Sequence, residues 1–133
     1  MNMSRNLSLD TEVESSPFDE QEALLRLDGD EELLRELARI FLRESPEILQ
    51  RLRDAVERGD PKAVAIEAHS MKGSVSNFAV NDATESALTI EKMGRENDLR
   101  SAPEALRRLE DNLELLRPAL AHLGEEQDSS GRV

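Results

Sequence analysis

The sequence predicts an all-α protein, an antiparallel up-down-up-down four-helix bundle with a short additional helix at its N-terminal end. Three observations predict it. Leu and Ala dominate the apolar residues, with no Trp or Tyr and only three Phe, a composition that favours helices over sheet. Apolar residues recur every three or four positions along most of the chain. Pro and Gly fall mostly where such stretches start and stop, and the resulting short connections force neighbouring helices antiparallel.

Residues 1–16 are polar and aperiodic and read as a disordered lead-in to a helical domain over residues 17–123. Ser16 or Asp19 caps a short first helix with Ala23, Leu24 and Leu27 on its apolar side, and Asp28-Gly29 stops it. Asp30 caps the second helix, whose stripe runs from Leu33, Leu34, Leu37, Ile40 and Phe41 to Ile48, Leu49, Leu52 and Val56. Pro46 interrupts it, but the apolar phase survives across the proline. One long kinked helix is therefore favoured over two. Gly59-Asp60-Pro61 ends that helix and starts the third, expected from Pro61 to Phe78. The fourth follows Asn81-Asp82, carries Ala83, Ala87, Leu88, Ile90, Glu91 and Met93, and fades after Gly94. Ser101 caps the fifth, with Pro103 in its first turn and Glu104 at capping-box spacing. Leu106, Leu109, Leu113, Leu116, Leu120 and Leu123 step along it past Pro118. Residues 124–133 read as a disordered polar tail.

Charge and composition exclude several functions. The net charge of the 133 residues is −12, and no run of Lys and Arg forms a basic face, which argues against nucleic acid and anionic membrane partners. There is no cysteine, hence no disulfide or thiolate metal site. No apolar run approaches the roughly 20 residues that span a bilayer, and no secretory leader is visible, so a cytoplasmic protein is expected. A monomer is favoured, because one chain can complete the bundle.

The third helix carries the chemistry. At about 100° per residue, Val64, Ala68, Met71, Val75 and Phe78 form its apolar stripe. His69 lies off that stripe, with Lys72, Gly73 and Ser76 within roughly 60° of it. A lone histidine in a helical protein is most often a boundary residue without special chemistry, and His122 fits that description. A metal site is poorly supported, since no second His or carboxylate pair stands one turn from His69. Ser70, Ser74 and Ser76 lack the strand-turn-helix elbow of a hydrolase nucleophile. What remains is His69 itself as nucleophile. An exposed imidazole is mostly neutral at pH 7 and offers a nitrogen lone pair to a phosphoryl group. Lys72, one turn on, offsets the charge gained, and Gly73 leaves room for another protein's active site. Catalytic groups beyond these must come from that partner.

Ala68-His69-Ser70-Met71-Lys72-Gly73-Ser74 closely resembles the A-H-x-L-K-G-[SA] motif of histidine phosphotransfer (HPt) domains of two-component phosphorelays. Phe18-Asp19-Glu20 with Leu27-Asp28-Gly29-Asp30 looks like the family's opening. Phe41-Leu42 and Pro46 recur where its second helix carries such residues, and Ile90-Glu91 before Gly94-Arg95 resembles its L-E-x-x-[GA]-[RK] segment. The resemblance covers about residues 18–123. It departs at Met71, where the family commonly has Leu, and at Ala79, where many members have Gly.

The resemblance implies a four-helix bundle that accepts a phosphoryl group on His69 Nε2 and exchanges it with an aspartate of a response-regulator receiver domain. By analogy His69 is the phosphoacceptor, Lys72 stabilises the phosphoryl group and Gly73 gives steric access. The chain would be a phosphocarrier without autokinase activity, fed through a hybrid sensor histidine kinase. It would hold no cofactor of its own, with Mg²⁺ on the partner receiver. Docking is expected on small and apolar residues near His69, namely Ala65, Ile66, Ser70 and Ser76. A non-phosphorylated adaptor that occupies receivers would need the docking face but not the imidazole. The dimerisation helices of a sensor kinase usually place an acidic residue directly after the histidine, where this chain has Ser70.

Overall fold

This computed structural model describes residues 18–78 and 81–132. Its helices are α1 (Glu20–Arg26), α2 (Glu31–Arg58), α3 (Pro61–Ser76), α4 (Asn81–Arg95) and α5 (Ala102–Arg132). Aspartates start the first three. Asp19, Asp30 and Asp60 stand in extended backbone, and each accepts a bond from the amide three residues on: Glu22 (3.0 Å), Leu33 (3.0 Å) and Ala63 (3.2 Å). Each satisfies an amide that the helix itself cannot pair. Gly59 closes α2 at φ 68°, a left-handed conformation open to glycine at little cost. Asp60 and Pro61 then start α3 at once, so the chain reverses within two residues.

Successive helices from α2 to α5 pack side by side, and α5 returns to α2, which closes a four-membered ring. The short connections make it up-down-up-down. Apart from Leu33, which is exposed, the stripes read from the sequence point mostly inward. Leu34, Ala38, Leu52 and Ala55 of α2, Val64, Ala68, Met71 and Val75 of α3, Ala83, Ala87 and Ile90 of α4, and Leu109, Leu116 and Leu120 of α5 are buried. Met71 is fully enclosed, and exchange with Leu there conserves volume.

All three phenylalanines meet at one end of the ring. Phe78 is buried and lies edge-on to Phe41 (5.7 Å) and Phe18 (5.9 Å), so the chain before α1, the middle of α2 and the turn after α3 share one aromatic contact. Arg26 of α1 also donates to the Ser76 carbonyl (2.7 Å), pairing one of the last acceptors of α3.

Each seam of the ring carries a polar link. Arg51–Glu67 (3.1 Å) joins α2 to α3, Arg53–Glu110 (2.6 Å) joins α2 to α5, and Ser86–Asn112 (2.8 Å) joins α4 to α5. The α3–α4 link is different, because its acid is buried.

One expectation is corrected: the third helix stops at Ser76, with Asn77 and Phe78 in a turn. The helix α5 carries on to Arg132. Once a helix is nucleated, each added residue gains a bond for one pair of dihedrals, and Pro118 inside α5 does not stop it. α2 likewise runs unbroken through Pro46. Residues 1–16 and Ala79 lie outside the described residues.

Candidate functional site

The third helix places His69 as the sequence indicates. Its stripe locks α3 against the core, which leaves the imidazole side outward, and the His69 side chain is 63% exposed. Ile66, Ser70 and Gly73 are exposed on the same stretch. A Cβ at Gly73 would meet nothing within 4 Å, so nothing inside the protein requires glycine there. Ser76 is half-buried and donates to the Gly73 carbonyl of its own helix (2.9 Å). Ala65 is half-buried where α3 crosses α4.

The residue that sequence reasoning passed over as a site member is Glu91 of α4. Its side chain is 1% exposed, and its carboxylate gathers three partners. Oε2 lies 3.1 Å from His69 Nδ1 and 2.5 Å from Arg95 Nη2, and Oε1 lies 2.9 Å from Lys72 Nζ. Burial pushes this carboxyl up. The hydrogen bonds with Lys72 and His69, and the charges of Lys72 and Arg95, outweigh it and hold the group below its ordinary value of 4.5. Glu91 is therefore ionised at neutral pH and can only accept. In its contact with this acceptor, His69 Nδ1 is the donor.

A signal for Glu91 was present. It falls in the buried phase of α4, between Ile90 and Gly94, where a charged residue needs a partner. Its partners sit on the neighbouring helix, a relationship that spacing within one helix does not reveal. Lys72 is thus tied first to Glu91, and Arg95, 66% exposed, shares an oxygen with His69.

The imidazole stands on a helix surface and not in a cleft. A polar groove of about 240 Å³ runs instead between α4 and α5, past Asp82, Glu85, Thr89, Arg108 and Asn112, and none of the His69 cluster lines it. Among the described residues no group of three or more His, Asp or Glu is arranged to hold a metal, and no helix is long and apolar enough to cross a membrane. An exposed imidazole on a helix surface is open to an approaching macromolecule.

A family model for the Hpt domain matches residues 36–119, from α2 through most of α5. The chain belongs to the Hpt domain family. Hpt domains are phosphocarriers of two-component signalling that interact with receiver domains and kinases. Among solved structures, histidine-containing phosphotransfer protein B (HptB) from Pseudomonas aeruginosa is similar, with a TM-score of 0.76 over 84% of this chain and 97% of that one. At 23% identity that likeness concerns the Hpt fold. A comparison with curated proteins gives no match.

Proposed function

We propose that this Hpt protein accepts a phosphoryl group on Nε2 of His69 and exchanges it with an aspartate of a response-regulator receiver domain. The observation that carries the reading is the exposed imidazole whose Nδ1 is held by a buried, ionised carboxylate. The Nε2 lone pair attacks the phosphorus of an aspartyl phosphate. The N–P bond forms, the bond from phosphorus to the aspartyl oxygen breaks, and the aspartate leaves as carboxylate. Nε2 has no proton to lose, so no general base is needed. The ring gains positive charge as it bonds phosphorus, and Glu91 on Nδ1–H offsets that charge. The same cationic ring is a good leaving group, so the step runs in both directions.

Lys72 lies beside the arriving phosphoryl group and compensates its charge, while Gly73 leaves the partner unobstructed. Ile66 and Ser70 flank the imidazole as docking contacts. The receiver brings the Mg²⁺ and the remaining catalytic groups, and a hybrid sensor histidine kinase supplies the phosphoryl group upstream. The chain acts as a monomer and as a carrier without autokinase activity.

The test is transfer from a panel of phosphorylated receivers, with wild type beside His69→Gln. An acid-labile, base-stable label on the wild type and none on the variant is the expected result. No label from any receiver, with binding kept by both proteins, overturns phosphotransfer in favour of an adaptor.

A further inference from the structure

The sequence has a second helical glycine whose position the reaction above does not explain. Gly94 lies in the last turn of α4 and is buried. Its φ is not in the left-handed region. That conformation falls to Asn97 (φ 60°), whose amide returns to the Gly94 carbonyl (3.1 Å) while the Asp98 amide bonds Met93 (3.0 Å). The end of α4 is therefore closed without help from a glycine at position 94. Glycine also weakens a helix relative to alanine. What position 94 requires is space. A Cβ there would stand 2.6 Å from the Pro61 carbonyl oxygen, 2.7 Å from the Ala65 nitrogen and 3.0 Å from the Ala65 Cα. All three are backbone atoms and none can swing aside.

This close crossing adjoins the site on both helices. Ala65 is one turn before His69 on α3, and Gly94 is nearly one turn after Glu91 on α4. We propose that Gly94 is a positioning residue, whose missing Cβ lets α4 approach α3 closely enough for the Glu91 carboxylate to hold His69 Nδ1. An added Cβ must part the backbones by on the order of 1 Å to reach ordinary contact distance. The His69–Glu91 contact is 3.1 Å, and a shift of that size takes it beyond hydrogen-bonding range. The imidazole is then free to move its proton to Nε2, the tautomer favoured in water, which blocks the nucleophilic lone pair.

The inference rests on His69 as phosphoacceptor, so the test reads the ring as well as the reaction. Nitrogen-15 NMR of the His69 ring distinguishes the two tautomers without any partner protein. Wild type is expected with the proton on Nδ1, and Glu91→Ala supplies the spectrum of the unheld ring. Gly94→Ala is expected to move towards that spectrum with helix content retained, and to slow phosphoryl transfer at least about tenfold. Ala65→Val wedges the same crossing from the half-buried side of α3 and is expected to do likewise, which keeps the test available should Gly94→Ala unfold. A folded variant of either kind with the wild-type spectrum and transfer rate overturns the proposal. Absence of transfer in the wild type fails the phosphotransfer reading instead and leaves the tautomer comparison standing.

Discussion

Glu91 Oε2 lies 3.1 Å from His69 Nδ1, and the acid is buried while the imidazole is exposed. A buried anion gives an exposed ring one orientation and one tautomer. Glu91→Gln keeps the size of the side chain and removes the charge that offsets the cationic ring. The variant is expected to fold and to transfer roughly tenfold more slowly, an activation difference of about 1.4 kcal/mol. Rapid-quench transfer from a phosphorylated receiver measures it, and an unchanged rate removes Glu91 from the mechanism.

The same carboxylate makes stability depend on pH. Its value is lowered in the folded protein, because Lys72, His69 and Arg95 outweigh the cost of burial. A group lowered on folding binds protons more tightly when unfolded. Its stabilisation is fully present above the ordinary value of 4.5 and is lost as pH falls through the lowered folded value. Urea titrations between neutral pH and the acid range are expected to show wild type losing more stability than Glu91→Gln over that window. Parallel curves contradict the assignment.

How much of this was legible beforehand follows from the physics of each part. Helical period and capping are local, so Asp19, Asp30, Asp60 and Gly59 marked boundaries correctly, and the buried stripe of α3 put His69 outside. The Glu91 cluster is not local. Its four members come from two helices, and periodicity within α3 reported only Lys72. Arg26 on the Ser76 carbonyl is the same kind of miss, a pairing across 50 residues.

Gly73 and Gly94 predict opposite effects for one substitution. A methyl at Gly73 meets nothing within 4 Å, so Gly73→Ala is expected to raise stability by up to about 1 kcal/mol through helix propensity. The methyl at Gly94 meets three backbone atoms, so Gly94→Ala is expected to lower stability by about 1–3 kcal/mol. Thermal melts of the two variants settle the signs. Gly73→Ala is also expected to slow transfer while melting higher, since under the proposed function a receiver occupies the space that the methyl fills. A Gly73→Ala protein that transfers at the wild-type rate leaves that glycine without a docking role.

Ile66 is 55% exposed on α3, one turn before His69 and in line with Ser70 and Gly73. It does not pack beneath the N-terminal helix, so the core does not account for an isoleucine at this position. Single exposed apolar residues are common, and position is what makes this one informative. A receiver closing over the imidazole would cover Ile66 and remove its apolar surface from water. Ile66→Asp reverses that gain by forcing a carboxylate into the interface, while in the free protein the new side chain stays solvated. Stability is therefore expected within about 0.5 kcal/mol of wild type. Transfer at low receiver concentration is expected to fall roughly tenfold and to recover as the receiver concentration rises, the pattern of weakened docking. A loss that persists at saturating receiver would place Ile66 in the chemical step, and an unchanged rate at every concentration would place the docking surface elsewhere.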